Sequence, residues 1–211
     1  MSQSPDSPNT DEVQDNLRVI RGLMERATIY RAVSSAPALL GGLLSLAVAG
    51  YFLARPVSIS TTAFLGAWLA VLAVTGLANT VLLRREAAAR GAAFPSAQTR
   101  HGLAAMAPAM GCGFAIGLVY AWRWENLPAC VVAWGLGYGL GLLATSSFAP
   151  GSIRRLGAAF LLAGGAGFAW LAFAAAPPSP AAACAFMGAT FGGFHLVYGL
   201  LTRGTRAEPA P

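Results

Sequence analysis

Five long stretches of this chain contain no Asp, Glu, Lys or Arg, and arginine-rich segments lie at their edges. A helix needs about 20 apolar residues to cross a hydrocarbon core ~30 Å thick. Four of the stretches are long enough for one crossing, and the last is long enough for two. Pro177–Pro180 divides that last stretch, because proline lacks a backbone donor and interrupts a helix. The charge-free stretches cover residues 32–54, 56–83, 102–122, 126–153 and 156–202.

The composition also favours a membrane environment. Only 10% of the residues are charged and 56% are hydrophobic, whereas soluble domains carry about a quarter charged residues. Because lipid offers no hydrogen-bond partners to the backbone, segments that cross it are helical. The sequence therefore predicts an all-α, polytopic integral membrane protein, in which a cytoplasmic amphipathic helix precedes a bundle of six transmembrane helices. We predict spans at about 32–54, 60–83, 102–122, 127–148, 153–176 and 181–202.

The arginines predict the orientation of these spans. Twelve of the fourteen precede the first span, follow the sixth, or lie between spans two and three or four and five. Only Arg55 and Arg123 lie in the remaining connections. Because positively charged segments stay in the cytoplasm, we expect a multi-pass protein of a bacterial inner (plasma) membrane with both termini cytoplasmic. Residues 1–31 contain no apolar segment followed by a cleavage site, so we expect the first span to remain attached.

The domain organisation follows from these assignments. Residues 1–31 form a cytoplasmic tail with an amphipathic helix at 10–31, residues 32–202 form the membrane domain, and residues 203–211 form a second tail. Such a helix has three alternative positions: on the inner leaflet, against a partner or second copy, or beneath the bundle. We favour the leaflet, where the arginines meet anionic lipid. The apolar stripe of this helix consists of Val13, Leu17, Ile20, Met24 and Ala27.

Glycines four residues apart recur in the later spans, as at Gly113/Gly117 and Gly135/Gly139. Small residues at this spacing let helices approach closely in lipid. The candidate partners are therefore the lipid bilayer, and a protein partner or second copy bound through helix 10–31 or the glycine-rich spans. We do not expect nucleic acid as a partner despite the net charge of +6, because the arginines lie at the edges of apolar runs.

A small set of polar residues falls at similar depth near the predicted cytoplasmic side. His195 lies about 12 Å along its helix from Arg203, and polar residues near the ends of spans two and four share that depth. One interpretation, which we favour, is interhelical hydrogen bonding that fixes packing. The other is a polar pocket open to the cytoplasm, in which His195 contacts a ligand or accepts a proton. The candidate ligand-binding residues are His195, Asn79, Thr145, Ser146 and Tyr198.

Signals for catalysis are missing from the sequence. No crossing stretch carries Asp, Glu, Lys or Arg away from its ends, and the three cysteines form no CxxC pair. We therefore expect no catalytic residues, no metal site and no cofactor, and do not expect an enzyme. The sequence favours a small inner-membrane protein with an accessory, structural or sensing role. The alternative is a carrier or channel for a small neutral solute, with the polar layer near the cytoplasmic side as its site.

Overall fold

The computed structural model describes residues 10–55, 59–89, 91, 93–147, 149–176 and 178–203. Within these residues all regular structure is helical, and six helical stretches are long and apolar enough to cross a membrane. The predicted fold class, an all-α polytopic bundle of six spans, is confirmed. The helices are α1 (Thr10–Leu53), α2 (Thr61–Ala89), α3 (Ala97–Arg123), α4 (Leu127–Ala144), α5 (Gly151–Phe173), α6 (Pro180–Met187) and α7 (His195–Arg203), and Gly188–Phe194, the π segment, joins α6 to α7 as a π-helix.

Polar side chains cap the N-termini of two of these helices, α3 and α4. The Oδ1 atom of Asn126 accepts from the backbone N–H of Ala129 at the start of α4. Ser96 accepts in the same way from the N–H of Thr99 at the start of α3. These bonds satisfy donors that the first helical turn leaves without a partner. The sixth span is continuous from Pro180 to Arg203, so α6, the π segment and α7 act as one membrane-crossing unit.

The first helix is longer than a single span. It runs unbroken over 44 residues, which corresponds to about 66 Å, and within the described residues Ser35–Leu53 is long and apolar enough to cross a membrane. Helix 10–31 therefore continues into the first span, and its position on the inner leaflet stays a prediction. Val13 and Leu17 of the apolar stripe are exposed. The side chains of Ile20, Met24 and Ala27, and the tails at 1–9 and 204–211, lie outside the described part of the chain.

Helix α4 is the most buried of the six spans. It packs against α3, α5 and α6, whereas α1 packs against α2, α6, the π segment and α7. The sixth span therefore connects the two halves of the bundle. We call the end where α1 enters, near Ser35, the proximal end, and the end where α1 stops, at Leu53, the distal end.

Two hydrophobic clusters fill the bundle, one near each end. The proximal cluster consists of Ala38, Leu142, Ile153, Leu156, Phe160 and Tyr198. The distal cluster consists of Ala49, Phe64, Leu65, Trp68, Ala121, Leu127, Cys130, Val131, Ala183, Cys184 and Met187. Helices α1 and α4 and the sixth span contribute residues to both clusters, at different positions along their length. The middle of the bundle therefore lies between the two clusters.

Glycine allows α3 and α4 to touch along their backbones. A Cβ atom built on Gly137 would lie 2.7 Å from the Cα of Gly113 and 2.9 Å from the carbonyl oxygen of Ala109. No side chain larger than hydrogen fits at this distance unless the helices separate. Close packing of this kind replaces the hydrophobic effect as a source of helix association in lipid.

Candidate functional site

A cavity of about 180 Å³ lies between the two hydrophobic clusters. Five of the six spans contribute to its wall, and α5 does not. An apolar cavity of about 150 Å³ is large enough to hold a benzene ring, so this one has room for a single small ring. Its wall consists of Gly41 and Ser45 from α1, Trp68, Leu69, Val71, Leu72 and Thr75 from α2, Met110 and Phe114 from α3, Trp134 and Tyr138 from α4, and Met187, Phe191 and His195 from the sixth span.

A hydrogen bond between α4 and α7 forms the polar part of this wall. The hydroxyl of Tyr138 lies 2.8 Å from Nε2 of His195. Which group donates depends on the histidine tautomer: Tyr138 donates when the ring proton is on Nδ1, and Nε2 donates when the proton is there. The bond joins the central helix to the sixth span, so it couples the two halves of the bundle at the cavity.

Aromatic rings hold this pair in place from behind. Phe160 of α5 is fully buried, and its ring centroid lies 4.7 Å from that of Tyr138 and 5.6 Å from that of His195. Phe191 stacks on the imidazole with an interplanar angle of 12°. Edge-on and stacked contacts of this kind restrict both rings. The hydrogen-bonded pair is therefore preorganised.

Three further polar atoms around the cavity are buried without a hydrogen-bond partner among the described residues. They are Nε1 of Trp68, Oγ1 of Thr75 and Nδ1 of His195. The Phe191 carbonyl approaches Nδ1 from one turn earlier, but without good hydrogen-bond geometry. Buried polar groups are normally paired, and leaving one unpaired costs about 1–3 kcal/mol. These atoms have almost no accessible surface, so they are packed within the wall, and the polar group that the cavity offers a ligand is the pair of Tyr138 and His195.

The π segment sets the direction of His195. A π-helical stretch adds a residue to the helical turn, so the residues after it face a different direction from that in a continuous α-helix. Its glycines also lie close to α1: a Cβ on Gly192 would come within 2.8 Å of the Leu46 side chain, and one on Gly188 within 2.9 Å of Ala49. The segment therefore combines tight packing on α1 with placement of the imidazole in the cavity wall.

Of the five residues predicted as a polar layer, His195 alone lines this cavity. Tyr198 is buried in the proximal cluster, and Asn79 is half-buried on α2. The hydroxyl of Thr145 donates to the carbonyl of Leu142 and so closes the end of α4, and Ser146 is exposed in the turn that follows. The structure therefore groups His195 with side chains that the sequence analysis did not select.

The residues that sequence reasoning missed are Tyr138, Trp68, Thr75 and Ser45. Tyr138 lies in the run GLGYGLG. The glycines of this run indicate helix packing, and the sequence analysis therefore assigned no separate role to the tyrosine between them. Trp68 lies within α2, about 10 Å along the helix from its start, and not at the headgroup zone where Trp is most frequent. An aromatic residue with a polar atom in mid-span is the signal that could have identified both.

The described residues that form the cavity wall include no Asp, Glu, Lys or Arg. Among the described residues, no three His, Cys, Asp or Glu side chains come together in a way that could hold a metal ion. The fold and cavity thus define a six-span membrane bundle with a small aromatic cavity at mid-depth. Comparison of the chain with protein families, curated proteins and solved structures found no match.

Proposed function

We propose that this protein binds a small, uncharged, ring-sized molecule in the cavity beside Tyr138 and His195, and that binding serves a sensing or accessory role in the membrane. The observation that carries the proposal is the cavity of about 180 Å³ with the hydrogen-bonded pair of Tyr138 and His195 in its wall. A ligand hydroxyl has one donor and two acceptor positions and can form a hydrogen bond with this pair. The other wall residues are mainly hydrophobic and aromatic, and they contact the apolar surface of the ligand.

The described wall residues are all uncharged or, in the case of His195, neutral when unprotonated, and this supports an uncharged ligand. Transfer of an ion into an apolar site without a counter-charge is strongly unfavourable. Neutral molecules with a ring and one polar group, such as phenol or benzyl alcohol, match the size and the polarity of the cavity. Benzoate has a similar ring but carries a charge, so it provides a matched comparison.

Helix α1 supports sensing over transport. Its residues Gly41 and Ser45 form part of the cavity wall, and the same unbroken helix extends back to Thr10. The part before Ser35 is about 38 Å long. A helix that touches the ligand and also extends beyond the bundle is suited to report occupancy to a partner or a second copy. Gly41 packs closely on Thr75, since a Cβ at Gly41 would lie 3.0 Å from its Cγ2 atom.

We further propose that the proximal end faces the cytoplasm of a bacterial inner membrane. Arg84, Arg85, Arg154, Arg155 and Arg203 are exposed, and each lies at a helix end that the topology directs to the proximal side. Basic side chains accumulate on the cytoplasmic side of membrane proteins. The distal connections contain Arg55 and Arg123.

Thermal unfolding of the purified protein in detergent tests the binding proposal. Phenol and benzyl alcohol should raise the melting temperature in a saturable manner, whereas benzoate at the same concentration should not. A ligand at 100 times its dissociation constant stabilises a folded protein by about 2.7 kcal/mol. Tyr138→Phe should weaken phenol binding by about 2–10-fold, which corresponds to the loss of one neutral hydrogen bond. The matched control is Tyr51→Phe, because Tyr51 is exposed near the distal end of α1. Equal effects of neutral and charged rings would contradict the proposal.

A further inference from the structure

We infer that the ligand reaches the cavity from the lipid phase, through an opening between α2 and α3, and that it is a ring with a hydroxyl or carbonyl group and an alkyl chain. In this arrangement the ring lies beside His195 and the chain remains in the bilayer. The inference rests on the proposed function, because it specifies the chemical class and the route of the same ligand.

The two ends of the cavity are closed. On the distal side Trp68 and Met187 belong both to the cavity wall and to the distal cluster, which is buried. On the proximal side Tyr138 and Phe191 line the cavity and pack against the proximal cluster. A solute from either aqueous side would have to cross a packed hydrophobic layer. This geometry differs from the pocket open to the cytoplasm that the sequence suggested, which stays a prediction.

The side between α2 and α3 is different. Helix α2 packs on α1 and helix α3 packs on α4, and these two helices are not among the pairs in extensive contact within the described chain. Both nevertheless contribute to the cavity wall, α2 through Leu69 and Leu72, and α3 through Met110 and Phe114. The gap between α2 and α3 thus borders the cavity directly.

The exposure of the residues at this gap identifies it as an opening. Leu72 is 56% exposed and Leu69 is 38% exposed, although both also line the cavity. At mid-span the surroundings of a membrane-crossing helix are lipid chains. These two leucines therefore lie between the cavity and hydrocarbon. An alkyl chain attached to a ring in the cavity can pass beside them without leaving an apolar environment.

The size of the cavity allows a laterally open site to be distinguished from a closed one by the length of the ligand that it accepts. A volume of about 180 Å³ holds a ring, but it does not hold a ring with a long chain. A closed cavity would therefore reject 4-alkylphenols as the chain grows. A laterally open cavity accepts them, because the chain is surrounded by lipid both before and after binding.

The experiment measures binding of phenol, 4-propylphenol and 4-nonylphenol to the full chain in phosphatidylcholine nanodiscs, with concentrations expressed per lipid. We expect the three dissociation constants to agree within about threefold, because the chain contributes little to the transfer from lipid. Binding of phenol together with loss of 4-nonylphenol binding would overturn the lateral opening and leave the proposed function intact. Failure of all three to bind would overturn both.

Substitutions at the gap test its position. Leu72→Trp should slow the association of 4-nonylphenol at least tenfold. The matched control is Leu77→Trp on the same helix, since Leu77 is 66% exposed and lies outside the cavity wall. Leu69→Phe is a milder second variant that should slow association in the same direction if the tryptophan variant does not fold. Equal association rates for the gap variants and the control would refute the assigned opening.

Discussion

The hydrogen bond between Tyr138 and His195 permits a quantitative prediction about stability. Tyr138→Phe removes a hydroxyl that lies 2.8 Å from Nε2 of His195 but retains the ring that packs against Phe160 and Phe191. The expected cost therefore arises from the bond and from the imidazole nitrogen that is left without a partner, and not from lost packing. Leaving a buried polar group unpaired costs about 1–3 kcal/mol, and measured interhelical hydrogen bonds in membranes reach about 1.7 kcal/mol. We expect the free energy of unfolding to fall by about 1–2 kcal/mol.

A double-mutant cycle isolates the bond from these other effects. His195→Phe removes the other partner, and the variant with both substitutions replaces the pair by two apolar rings of similar shape. Since neither partner is then left unpaired, the double variant should be less destabilised than the sum of the single variants, by about 0.5–1.5 kcal/mol. The assay is reversible unfolding in mixed micelles, with Tyr51→Phe as a control expected to change stability by less than about 0.5 kcal/mol. Additive single-variant effects would show that the bond contributes nothing to stability and refute the reasoning.

Two other predictions concern packing and orientation. Gly137→Ala places a Cβ 2.7 Å from the backbone of Gly113, so it should destabilise the bundle by about 1–3 kcal/mol in the same unfolding assay. Gly111→Ala on α3, where nothing lies within 4 Å, should leave stability unchanged or raise it by up to about 1 kcal/mol, and equal losses in both variants would contradict the backbone contact. A compartment-sensitive reporter inserted after Pro178 should report the periplasm, since the arginine distribution assigns the distal connections to that side. A cytoplasmic signal would reverse the proposed orientation.

The membrane-crossing architecture could be predicted because it depends on a simple physical constraint. Charged residues are costly in hydrocarbon and each crossing needs about 20 residues, so the arginines mark the ends of the spans directly. Local chemistry then shifts individual ends. Span four was predicted at about 127–148, whereas α4 ends at Ala144. At that end the hydroxyl of Thr145 donates a hydrogen bond to the carbonyl oxygen of Leu142, and a turn follows.

The cavity could not be predicted in the same way. Depth along a helix follows from residue number, and on that basis the sequence grouped His195 with Asn79 and Ser146. Which side chains share a face depends on helix rotation and on neighbours, and neither is encoded in depth. The π segment is the clearest case: GATFGGF is compatible with an ordinary α-helix, yet it adopts π geometry and redirects the residues that follow.

The glycine pattern of α4 does not by itself show which face of the helix packs against a neighbour and which face lines the cavity. The spacing of Gly135, Gly137 and Gly139 indicates close helix packing, and Gly137 does contact Gly113. The same spacing places Tyr138 on a different face of α4, where it meets His195. Only the arrangement of the neighbouring helices distinguishes the packing face from the face that lines the cavity.

The most direct test of ligand binding at this cavity uses nitrogen NMR of the protein labelled with ¹⁵N-histidine. The chain has only two histidines, and His101 is exposed at the start of α3 whereas His195 lines the cavity. Addition of phenol should shift the ring nitrogen signals of His195 in a saturable manner and leave those of His101 unchanged. A rise in melting temperature without any change at His195 would show that phenol binds elsewhere, and would contradict the central claim.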